Sequence, residues 1–279
     1  MNLQGLKFRY VNYACYEIVL PNGKVIVIDP CILMPNVKDP SIWFKKEDFT
    51  GADYILLSHT HLDHTMEVGY LADKFTSKVI VPALSSFSLT ESIDLITDQV
   101  YPVFPNEKFI FEDFKLEVYR GKHTFSRKGG RMSERISHPI NPNGNAAEKL
   151  TNLYGSMEYC DYMITTKENV RIFICGGQPQ WFYFTNADEI VKEKAPNIII
   201  RQSSSKYTPE EYGRHMASYG AQLILPLHQD GLSRSPIDCT PEYWFERANK
   251  ELEKIGAVTR ILNPIPFQWY VVSMSIIKE

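Results

Sequence analysis

Three of the seven histidines in the chain fall within six residues, His59-Thr60-His61-Leu62-Asp63-His64, directly after the apolar run Asp53-Tyr54-Ile55-Leu56-Leu57-Ser58. Polar groups this close together are costly to bury unless something pairs with them. Neutral imidazoles with a carboxylate are the donors that Zn²⁺ favours, at about 2.0–2.2 Å, and they argue against Ca²⁺ or Mg²⁺. The apolar run reads as a strand and Met66 to Phe75 as a helix. The cluster then occupies a strand-to-helix loop, where the backbone can aim several side chains at one point. His59 and His61 can grip one ion while Asp63 and His64 turn toward a second.

The rest of the chain supplies strands and helices to hold such a loop. Residues 6–11, 14–20 and 24–29 read as three short strands, with Pro21-Asn22-Gly23 as a tight turn between the last two. Further strands are expected at 78–82, 108–111, 114–120, 161–166, 170–175, 196–201 and 222–227. Thr208-Pro209-Glu210-Glu211 and Thr240-Pro241-Glu242 each place a capping threonine before a proline in a first helical turn. Hairpins alternating with crossover helices predict sheets covered by helices. With 279 residues, 44% of them hydrophobic, the chain is expected to form one domain over 1–279 with an inserted irregular loop at about 124–157, where Gly129-Gly130 and a Pro-Asn-Gly cluster fall.

Composition narrows the partners. A net charge of −3 gives no global drive toward nucleic acid or an anionic membrane. No apolar stretch approaches the roughly 20 residues of a membrane span. The five cysteines are scattered and never paired as CxxC, which fits a reducing compartment, and the beginning of the chain does not read as a signal peptide. The expectation is a cytoplasmic protein acting on a small molecule.

Beyond the histidine cluster, Val25-Ile26-Val27-Ile28-Asp29-Pro30, Gly121-Lys122-His123, Phe173-Ile174-Cys175-Gly176-Gly177 and Leu225-Pro226-Leu227-His228 follow in an order that resembles the metallo-β-lactamase superfamily. In pattern the chain is most similar to the lactonase and phosphodiesterase-like small-molecule hydrolases of that superfamily. The resemblance implies an α/β fold, a four-layer αββα sandwich with metals at the sheet edge. It also implies that His59, His61 and His123 hold one metal and that Asp63, His64 and His228 contribute to a second. Asp29 looks like the aspartate that orients the ligand loop. Asp63 would be the catalytic carboxylate, orienting a zinc-activated hydroxide or accepting its proton.

One landmark departs from the pattern. Relatives with two metals carry a bridging aspartate after the strand that corresponds here to residues 170–175, and this chain reads Cys175-Gly176-Gly177-Gln178. Without that anion the cluster keeps more positive charge in a partly desolvated pocket. The expectation is one tightly bound Zn²⁺ and a second ion weak or absent, with Mn²⁺ or Fe²⁺ as other candidates. Cys175 or Gln178 could replace the bridge, although Cys175 also reads as an ordinary buried strand cysteine.

Between Arg120 and Arg135, six basic side chains, among them Arg127, Lys128, Arg131 and Arg135, face Glu134 as the lone acid. They form either a solvated loop or a patch that steers a phosphate or carboxylate to the metal. The function expected is hydrolysis of a small, anionic ester, lactone or phosphodiester. A non-catalytic metal-binding or ligand-sensing protein on the same fold is the competing reading.

Overall fold

The computed structural model describes residues 5–32, 43–121, 158–175, 187–203, 207–229, 232 and 240–272. The first half contributes β1 (Leu6–Asn12), β2 (Cys15–Val19), β3 (Val25–Ile28), β4 (Tyr54–Leu56), β5 (Lys78–Pro82) and β6 (Val100–Val103). The second contributes β7 (Lys108–Ile110), β8 (Phe114–Arg120), β9 (Cys160–Thr166), β10 (Arg171–Cys175), β11 (Ile198–Gln202), β12 (Leu223–Leu227) and β13 (Arg260–Ile261). A last strand, β14 (Tyr270–Val272), returns to the first sheet. The helices are α1 (Leu62–Thr65), α2 (Val68–Phe75), α3 (Ala83–Ile93), α4 (Ala187–Lys194), α5 (Pro209–Ala217) and α6 (Pro241–Lys254).

These strands form two sheets, ordered β14-β1-β2-β3-β4-β5-β6 and β13-β12-β11-β10-β9-β8-β7. Each has an antiparallel half and a parallel half, the change falling at β3 in the first and β10 in the second. The hairpin between β2 and β3 closes through Leu20 N to Lys24 O at 2.8 Å. Gly23 takes the positive φ of +88° that the turn needs.

Side chains alternate along the strands, so each sheet is apolar on both faces. Phe8, Tyr16, Ile28, Leu116, Tyr162, Ile174, Ile200 and Leu225 fill the space between the sheets. Val27, Ile55, Val79 and Val81 point the other way, onto Val68, Leu71 and Leu89 of α2 and α3. Phe173, Ile199 and Ile224 meet Tyr212, Met216, Trp244, Phe245 and Leu252 of α5 and α6. The layers run helix, sheet, sheet, helix, as the family resemblance implies. Thr208 and Thr240 accept the backbone N–H of Glu211 and Tyr243, which starts α5 and α6 where their prolines predict.

The sheets are tied together at one edge. Cys160 N donates to Ser58 O at 3.0 Å, and the Tyr162 hydroxyl to Leu57 O at 2.7 Å. Tyr16 donates to Pro226 O at 2.8 Å, and His228 N to Tyr13 O at 2.7 Å. The C-terminal ends of β3, β4 and β12 therefore converge here, bringing Asp29, the histidine loop and His228 together. The expected irregular stretch at 124–157 lies outside the described residues.

Candidate metal centre

Asp29 follows β3 in the left-handed region, φ +43°, and is buried. Aspartate tolerates that backbone better than most residues. Its N–H still donates to Leu56 O at 3.0 Å, which holds the strand end in the sheet while the side chain swings under β4. Asp29 Oδ1 accepts Ser58 N at 2.7 Å, and Oδ2 accepts Ser58 Oγ at 2.6 Å and His64 Nδ1 at 2.8 Å.

Those bonds assign the protons on two rings. With Nδ1–H of His64 given to Asp29, its Nε2 carries the lone pair. Ser58 Oγ spends its only proton on Asp29, so the 3.0 Å contact with His59 Nδ1 is a bond donated by the ring. His59 Nε2 is then the bare nitrogen, 3.0 Å from His61 Nδ1. One carboxylate thus orients two histidines, one directly and one through a serine.

The cluster is partly helical rather than a plain loop. His61 precedes α1, whose first turn carries Asp63 and His64, and His64 N and Thr65 Oγ1 both donate to His61 O at 3.0 Å. His228 arrives from β12 with φ +50° and sets its Nε2 3.3 Å from His64 Nε2. Asp63 Oδ2 lies 3.7 Å from the same His64 nitrogen. One ligand atom each from Asp63, His64 and His228 falls within 4.8 Å of the others, a grouping that can hold a metal ion. Burial opposes ionisation of Asp63, but His64, His228 and His61 outweigh it and hold the carboxyl below the usual aspartate range.

The donor set fits a divalent cation. Two nitrogens bound to one tetrahedral zinc at about 2.0–2.1 Å stand about 3.3 Å apart. The His64–His228 separation matches that edge, and it also suits an N–H···N hydrogen bond.

His59, His61, Asp63, His64, His228 and Asp29 are thereby gathered at one sheet edge. His123, Gln178, Arg127, Lys128, Arg131 and Arg135 lie outside the described residues. Cys175 ends β10 as a buried side chain whose Sγ accepts Arg201 Nη1 at 2.7 Å, and burial pushes its thiol well up, away from the thiolate a bridging ligand would need. Cys15, Cys31, Cys160 and Cys175 are buried, and these four form no disulfide. Sequence reasoning missed Ser58 and Tyr159, whose ring lies 4.8 Å from His59. Only the position of Ser58, directly before His59, could have signalled its role.

Residues 10–124 match the sequence profile of the metallo-β-lactamase superfamily, a span that contains Asp29 and the whole histidine cluster. A UPF0173 metal-dependent hydrolase of Koribacter versatilis is 30% identical over 234 residues, 82% of this chain and 86% of that protein. The chain belongs to the metallo-β-lactamase superfamily, among its UPF0173 metal-dependent hydrolases. A second UPF0173 metal-dependent hydrolase, from Methanobrevibacter smithii, is 24% identical over 262 residues, 93% of this chain and 95% of that protein. The fold is shared with Igni18, a metallo hydrolase of Ignicoccus hospitalis, at TM-score 0.66 and 14% identity, covering 97% of this chain and 99% of that one. It is shared too with an isothiocyanate hydrolase from Delia radicum gut bacteria, at TM-score 0.62 and 17% identity, covering 96% of this chain and 99% of that one. In this UPF0173 chain no helix among the described residues is long and apolar enough to cross a membrane.

Proposed function

We propose that this UPF0173 protein is a zinc-dependent hydrolase of a small, anionic ester, lactone or phosphodiester, acting in the cytoplasm without nucleic acid or membrane partners. The observation that carries the reading is the Asp29–Ser58 pair, which leaves the bare nitrogens of His59 and His64 facing His61 and His228. His59, His61 and His123 would hold one ion, and Asp63, His64 and His228 a second, weaker one. A cation held there supplies Lewis acidity and acidifies a bound water.

The chain's own groups divide the remaining work. Asp63 is about one-third exposed, whereas His59 and His64 are buried, so its carboxylate can meet solvent and an entering substrate. It orients the attacking water by hydrogen bonding. Asp29 and Ser58 hold the two rings at fixed tilt, sparing reorganisation during the reaction. Arg127, Lys128, Arg131 and Arg135 supply the charge that draws an anion toward the site.

Turnover of a panel of phosphodiesters, lactones and thioesters by Zn²⁺-loaded protein tests the reading. Hydrolysis of one class, lost with Asp63→Asn at nearly unchanged KM, is the expected result. Metal binding without turnover of any class would favour the ligand-sensing reading, which the Gly177-Gln178 departure also favours.

A further inference from the structure

On the helix-facing side of the second sheet runs a row of buried polar side chains that the metal centre does not use. The register pairs Tyr119 of β8 with Asp161 of β9, and Cys175 of β10 with Arg201 of β11. Tyr162 pairs with Ile174, so Asp161 and Cys175 are also neighbours across the strands. Asp161, Cys175 and Arg201 are 1%, 2% and 3% exposed. The Cys175 sulfur accepts from Arg201, and the Cys175 thiol donates to the Asp161 carboxyl.

Helices close the row from above. The Tyr219 ring, just past α5, lies 5.3 Å from the Arg201 guanidinium, and its hydroxyl donates to Asp188 of α4 at 2.7 Å. Tyr212 of α5 packs in the same buried cluster as Cys175. Among the described residues Asp161 Oδ1 and Arg201 Nε have no hydrogen-bond partner. An acid so placed is hard to ionise. Burial pushes Asp161 up to about 7, with Arg201 and the Cys175 bond pulling the other way.

The other end of the row reaches the site. A Cβ added at Gly121 would stand 2.8 Å from Asp161 Oδ1 and 2.5 Å from Tyr159 Cδ1, so glycine lets the end of β8 pass directly over both. Tyr159 in turn faces His59 across 4.8 Å. Tyr159 therefore stands beside both the end of β8 that covers Asp161 and the ring of His59.

We propose that Asp161 is a positioning residue for charge at the metal centre: its ionisation and cation binding at the histidine cluster favour one another, so it supplies part of the negative charge that Gly177 and Gln178 do not. The effect is electrostatic and reciprocal, exerted across Tyr159 through a poorly screened interior. It rests on reading the histidine cluster as a cation site.

Co²⁺ binding by calorimetry to wild type and Asp161→Asn tests the proposal. At pH 8, where wild-type Asp161 is charged, the variant should bind about tenfold more weakly, and at pH 6, where both are neutral, the two should agree within about threefold. A structural defect would weaken binding equally at both pH values, and that outcome, or no loss at pH 8, overturns the proposal. In wild type alone, Zn²⁺ should lower the titration midpoint of the Asp161 ¹³Cγ resonance by about one unit. An unmoved midpoint overturns the proposal without any variant. Failure of wild type to bind Co²⁺ at either pH would instead overturn the metal-centre reading itself.

Discussion

Asp29 accepts His64 Nδ1 at 2.8 Å from a backbone held at φ +43°, and this contact decides which nitrogen of His64 faces His228. An asparagine there could still accept from Ser58, but its amide would present a donor to one of the two. Asp29→Asn is expected to weaken metal affinity about 10- to 100-fold, the usual effect of removing a partner behind a ligating histidine. Competition with a chromogenic chelator measures it. An unchanged affinity would mean that Asp29 does not set the ligand geometry of His64.

Ser58 carries the same logic one step further, because its hydroxyl relays Asp29 to His59. Ser58→Ala leaves His59 Nδ1 without that partner and leaves Asp29 one bond short. Affinity should fall, though less than in Asp29→Asn, because the direct bond to His64 survives. A larger loss in Ser58→Ala than in Asp29→Asn, by the same competition assay, would show that the relay has been drawn in the wrong order.

Stability should carry the mark of Asp161. Its folded pKa is raised from the ordinary 3.8 to about 7, mainly by burial. A raised folded pKa means stability that is fully present below the unfolded value and lost as pH rises through the folded one. Between about pH 4 and 7 wild-type metal-free protein should lose stability relative to Asp161→Asn, which stays neutral throughout. Urea unfolding midpoints at several pH values in that window measure the difference. A gap between the two proteins that stays constant with pH would mean that Asp161 ionises normally in the fold.

Trp244 is fully buried against Tyr212 and Phe245, at ring separations of 5.0 and 5.1 Å, on the face of α6 that covers the second sheet. Trp244→Ala should cost about 3–5 kcal/mol in unfolding free energy. Metal bound per folded chain should hardly change, since the site is built from strand ends rather than from this helix. Metal loss in proportion to destabilisation would show that the outer helix layer holds the site together.

What could be read from the sequence was local. The histidine cluster, the Pro21-Asn22-Gly23 hairpin and the Thr208 and Thr240 caps each declare themselves within a few residues, because their chemistry acts over that distance. Harder to see were α3, whose Ala83-Leu84-Ser85-Ser86-Phe87-Ser88 start is rich in serines that favour caps over helix interiors, and β6, which carries Pro102. The fold accommodates Pro102 because β6 is an edge strand. Nor did local pattern reveal Tyr159 beside His59, which lies 100 residues away in the chain, or the Asp161–Cys175–Arg201 row, which depends on the register of three neighbouring strands. The short helix through Asp63 and His64 shows no signal in the sequence, since one turn is too brief to show a period.

The measurement that bears most directly on the metal centre is elemental analysis of protein purified without added metal, run on wild type, His59→Ala and His228→Ala. About one zinc per wild-type chain is expected, lost in His59→Ala and largely retained in His228→Ala, because the second position is the weaker one. Metal content that is unaffected by His59→Ala, or absent from wild type even after reconstitution, would contradict that expectation.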